Sequence, residues 1–86
     1  MGLDTVELVM EIEKVFGISI PDADATTLYT VGDIHLYIVT ARIAVGRPAG
    51  AEEAWTRLCD ILEHGYGVER SKIMPDARIV ADLGLD

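Results

Sequence analysis

Three stretches of about fourteen residues dominate this chain, each with apolar side chains at helical spacing and each followed by a glycine stop. The first, Leu3 to Phe16, holds neither Gly nor Pro, and Gly17 follows it. Leu8, Ile12, Val15 and Phe16 share one face, the expected core side. Asp4, Glu7, Glu11 and Lys14 recur on a narrow polar face, and Leu3, Val6 and Met10 form a second apolar strip beside it. One helix in a small domain does not readily bury both strips. The helix is therefore either packed on two sides or presents an acidic stripe beside exposed aliphatics, as a docking surface does.

Ile18-Ser19-Ile20-Pro21-Asp22 reads as a connector, and Pro21 suits the start of a short helix over Asp22 to Tyr29. Thr30 and Asp33 have the spacing of a capping box. A second long helix is expected behind them, from Val31 to about Val45, with Val31, Ile34, Ile38, Ala41 and Val45 on one face. Leu36, Val39 and Ile43 lie on others, so this helix is apolar over a wide arc and either packs on two sides or dimerises. Residues 46–50, Gly-Arg-Pro-Ala-Gly, form the only linker-like stretch. The third long helix runs from Ala51 to about His64, with Ala54, Leu58, Ile61 and Leu62 inward. Gly65 and Gly67 end it, and residues 68–86 form a long loop anchored by Val68, Ile73, Ile79, Val80 and Leu83. The expected fold is an all-α four-helix bundle, three helices long and one short, in one domain over residues 1–86.

Charge narrows the partners. Seven basic residues face fifteen acidic ones, a formal net charge of −8. Nucleic acid and anionic membrane surfaces call for the opposite sign, whereas this surplus either serves solubility alone or draws in a basic protein partner through its field. Cys59 is the sole cysteine, so no intramolecular disulfide forms, in keeping with a cytoplasmic location. No apolar run is long enough to span a bilayer.

Leu3-Asp4-Thr5-Val6-Glu7-Leu8-Val9-Met10, then Ile18-Ser19-Ile20-Pro21-Asp22 and Thr30-Val31-Gly32-Asp33, resembles the second half of a bacterial acyl carrier protein. Leu58 to Val68 resembles the end of that family's first helix. Ala77-Arg78-Ile79-Val80-Ala81-Asp82-Leu83-Gly84-Leu85-Asp86 resembles the loop leading to its modified serine. The resemblance implies a circularly permuted carrier fold. Residues 1–45 would match the family's second to fourth helices, and residues 51–86 its first helix and following loop. Five linker residues reach at most roughly 16–18 Å, enough to join neighbouring helix ends. Asp82-Leu83-Gly84-Leu85-Asp86 would then meet Gly2-Leu3-Asp4. The new ends would lie at a loop-to-helix junction, where a break is tolerated, with fraying expected at residues 1–3 and 84–86.

In that family a serine hydroxyl carries phosphopantetheine. The matching position here is Gly2, so no cofactor is expected. Ser19 and Ser71 lie outside the attachment motif, and Thr5 points off the junction. His35 and His64 lack metal-ligand spacing, and no metal is expected. Cys59 reads as a semi-buried, inert thiol. Tyr37 and Trp55 are expected to pack across helices or to meet a partner. No catalytic constellation is present in the sequence, and the chain is not read as an enzyme.

By resemblance, the acidic helix would dock on Lys/Arg patches of synthases, ligases and acyl-transfer enzymes of fatty-acid or polyketide biosynthesis. Leu3, Asp4, Val6, Glu7, Met10, Glu11, Glu13 and Asp22 would make the contact, with Asp24 extending it. Two alternatives stand beside this interaction module. One is a genuine carrier of acyl or aminoacyl groups through an unusual site, and the other is a protein that binds an acyl chain without a covalent bond. The chain is expected to be a monomer or a domain-swapped homodimer, the latter because the short linker would let one helix run on into another chain.

Overall fold

The computed structural model describes residues 2–86. Met1 lies outside the described residues, as does its share of the expected fraying. Helix α1 (Leu3–Phe16) has the expected bounds, with Gly17 beyond it at φ 65° and ψ 39°. This left-handed turn is open to glycine at little cost. The Glu13 carbonyl accepts from the N–H groups of Gly17 and Ile18, and Arg42 Nη1 donates to the Phe16 carbonyl at 2.8 Å. Leu8, Ile12 and Phe16 are buried. Val15 is exposed instead, because its position lies past the edge of the packed stripe.

The connector is extended and alternates: Ile18 and Ile20 point into the core, while Ser19 and Pro21 stay outside. Helix α2 (Asp22–Ala25) is shorter than expected. Thr26 and Thr27 bond their hydroxyls back to the carbonyls of Ala23 and Asp24, and the backbone closes into tight turns. Beyond them Thr30 must be extended, at φ −115° and ψ 163°, to cap the next helix.

Helix α3 (Val31–Ala44) opens on the expected capping box. Asp33 N–H donates to Thr30 Oγ1 at 3.0 Å, and Asp33 Oδ2 accepts from Thr30 N–H at 3.1 Å. A box of this kind contributes about 1 kcal/mol. Val31, Ile34 and Ile38 are buried and Ala41 is half-buried. Val45, expected on the same face, is exposed beyond the helix end, and Leu36 and Ile43 are exposed on the outer side. Of the wide apolar arc, one side is packed within the chain.

Helix α4 (Ala51–Asp60) packs against α3. His35 Nε2 sits 2.7 Å from the Ala51 carbonyl, and its ring meets Trp55 edge-on at 5.3 Å. The expected single helix to His64 changes character at Ile61, where one wider π turn covers Ile61–Gly65. Ala54, Leu58 and Leu62 are fully buried, and Ile61 is half-buried.

Residues 68–86 are less irregular than a plain loop. They hold a single 3₁₀ turn, Arg70–Lys72, and an isolated antiparallel bridge between Thr30 and Arg78. Their backbone crosses the start of α3: Val31 N–H donates to the Ala77 carbonyl, Gly32 N–H to Pro75 and Ile79 N–H to Tyr29. Val68, Ile73 and Ile79 are buried as expected, and Leu83 is half-buried. Val80 is exposed, since the turns between Arg78 and Leu85 direct Ile79 and Leu85 inward instead. The result is a small all-helical bundle of three long helices and one short one, with the final loop closing one end. Among the described residues no helix is long and apolar enough to cross a membrane.

Candidate functional site

The two ends of the chain meet. Asp4 N–H donates to the Asp86 carbonyl at 2.7 Å. The second amide of a helix ordinarily lacks an intrahelical partner and takes one from the N-cap side chain. Gly2 is the N-cap here and has no side chain, so Asp86 does this work from the far end of the sequence. The fit is close. A Cβ built on Gly2 collides with the Asp86 carbonyl carbon, and Asp86 Oδ1 would be 2.7 Å away. The space beside Gly2 is therefore filled by Asp86. Leu85, 5% exposed, pins the final segment, a strap over residues 78–86, to the core.

Below this seam lies an apolar cavity of about 370 Å³. Leu8, Val9 and Ile12 of α1 line one wall, Ile34 of α3 and Ala25 of α2 another, and Ile79 belongs to the strap. Gly2, Asp86 and Arg78 stand at its edge. The apolar pattern of each helix was legible in sequence, but the cavity was not, because its walls come from four separate segments. Arg78 was missed for the same reason.

The expected docking residues divide into two groups. Leu3 and Met10 are 73% and 61% exposed, and Val6 is partly exposed. Glu7 and Glu11 are exposed beside them, while Asp4 is half-buried at the seam. Asp22 is exposed at the start of α2. The others already hold local structure. Glu13 Oε2 accepts from Ile20 N–H at 2.8 Å, and Asp24 Oδ2 accepts from the Tyr37 hydroxyl at 2.8 Å. That bond to the Asp24 carboxylate is the main reason the Tyr37 phenol titrates above its usual range, with burial adding to it.

The candidate nucleophiles are poorly set. Thr5 Oγ1 donates to the Gly2 carbonyl at 2.8 Å. Ser19 and Ser71 are exposed, on the connector and the 3₁₀ turn. Cys59 is buried, and burial pushes its thiol up, toward the unreactive protonated form, against the opposite pull of nearby Arg70. Asp60, Glu63 and His64 bring ligand-type atoms within 4.8 Å of one another. Arg70 occupies that corner, with Nη2 at 2.9 Å from Asp60 Oδ1 and 4.0 Å from Glu63 Oε1. The carboxylates thus have a cation partner from the chain itself.

Alongside α1, a second, shallower depression lies against the end of α4 and the π turn that follows it. Glu7, Met10, Glu11 and Lys14 form one wall, and Asp60, Ile61, His64, Gly65 and Tyr66 the other. It was not legible in the residue pattern, where nothing in the spacing marks a π turn. No known family model matches the chain, and no solved structure gives a significant match.

Proposed function

We propose that this chain is a carrier-type bundle with its halves in exchanged order. It acts as an acyl carrier protein-like interaction module, docking α1 onto Lys/Arg patches of acyl-transfer, ligase or synthase enzymes without carrying phosphopantetheine. The observation that supports this most is the seam, where Asp86 lies against Gly2 and completes the cap of α1. Read across it, Asp86-Gly2-Leu3 has the family's attachment motif with glycine in place of serine. The exposed Leu3, Val6, Glu7, Met10 and Glu11 supply the acidic and aliphatic docking face.

Reordering the gene tests this. A chain running 51–86 and then 2–45, with Gly2→Ser at the join, should fold to the same helical content. Incubated with coenzyme A and a broad-specificity phosphopantetheinyl transferase, it should gain the mass of one phosphopantetheine. The native-order chain should not change in mass. A reordered chain that fails to fold, or that stays unmodified while a known carrier is modified beside it, counts against the reading.

The cavity of about 370 Å³ favours a second reading, non-covalent binding of an acyl chain. Fatty acids of increasing length should then raise the melting temperature, by an amount set by their concentration relative to Kd. No stabilisation at any length removes this reading.

A further inference from the structure

The depression between α1 and the end of α4 has the make-up of a peptide groove. Met10, Ile61 and Tyr66 give it apolar surface, and Glu7 and Glu11 stand along one rim. Lys14 and His64 also face it, and Asp60 is engaged by Arg70. Negative charge nevertheless prevails around Tyr66: burial and then Glu7, Glu11 and Asp4 all hold its phenol above the usual range. The described residues contain no strand edge for an extended peptide to join. An open groove between two helices instead suits a third helix laid along it. A second copy of this chain is a poor occupant, since each copy carries a net charge of −8.

We propose that this groove receives a basic amphipathic helix of a partner, its apolar side chains on Met10, Ile61 and Tyr66 and its Lys or Arg side chains toward Glu7 and Glu11. This deepens the docking reading and rests on it. It moves the contact from the outer crest of α1, Leu3 and Val6, to the side facing α4.

Two glycines allow a matched test. A Cβ added at Gly65, in the groove wall, or at Gly50, outside it, would meet nothing within 4 Å. Neither glycine has left-handed geometry. The probe is a synthetic helical peptide of Leu and Lys with all Leu on one face, followed by fluorescence anisotropy. Gly65→Arg should weaken binding about tenfold or more, and Gly50→Arg, with the same change in net charge, should shift it less than about twofold. A peptide with Ser in place of Leu should bind the native chain at least about tenfold more weakly. Equal losses in the two Arg variants would mean attraction by net charge alone and overturn the proposal, as would no binding to the native chain at low salt. If Leu3→Ser/Val6→Ser loses binding while Gly65→Arg keeps it, the groove is wrong and the docking reading through α1 survives.

Discussion

Leu85→Ala should destabilise the protein by about 2–3 kcal/mol in urea unfolding, toward the lower end of what deleting a buried leucine costs. Leu85 is 5% exposed although it lies outside any helix, on a segment of turns. The turns before it hold it there. Its N–H donates to the Ile79 carbonyl, Gly84 takes φ 71° to make the reversal, and Asp82 Oδ2 accepts from Arg78 N–H at 2.8 Å. An end segment can relax around the deletion more easily than a helix interior, which sets the loss below the maximum. For a domain whose whole stability is about 5–15 kcal/mol, the loss is large. Leu36→Ala is the internal control: Leu36 is 67% exposed, so its truncation should stay within about 0.5 kcal/mol. Similar small effects at both positions would mean that the strap does not hold the core.

Gly32→Ala should destabilise by about 1–3 kcal/mol, the usual cost of forcing extra volume into a packed site. The sign carries the information. Glycine to alanine in a free helix stabilises by about 1 kcal/mol. Here the new Cβ would lie 2.7 Å from the Pro75 carbonyl oxygen, the same oxygen that accepts from Gly32 N–H at 2.8 Å. Backbone, rather than a flexible side-chain tip, is what must yield. Its displacement also strains the neighbouring bond from Val31 N–H to Ala77. A stabilised Gly32→Ala protein would show that residues 75–77 do not lie across the start of α3.

The helices were readable because their information is local. Gly17, the Thr30–Asp33 box and the spacing of Leu8, Ile12, Ile34, Ile38, Leu58 and Leu62 act within a few turns of chain. The misses arise where a distant segment decides. Val15, Val45 and Val80 are as apolar as their buried neighbours, yet no segment of the chain covers them fully. Helix α2 stops early because Thr26 and Thr27 satisfy backbone acceptors from their side chains and Thr30 is needed as a cap. Propensity alone does not weigh those competing bonds. The exposed strip proposed for docking was legible in Leu3, Val6, Glu7, Met10 and Glu11, but Glu13 and Asp24 are engaged with Ile20 and Tyr37. The π turn, and with it the groove, left no mark in the residue pattern.

Amide hydrogen exchange at Asp4, followed by NMR, reaches the central point most directly. The Asp4 amide lies in the first turn of α1 and has no partner there except the Asp86 carbonyl at 2.7 Å. The expected result is slowed exchange of this amide, nuclear Overhauser contacts between residues 2–4 and 85–86, and loss of both in a Gly2→Val variant. Exchange at the rate of an unstructured amide, with no contact between those residues, would contradict it.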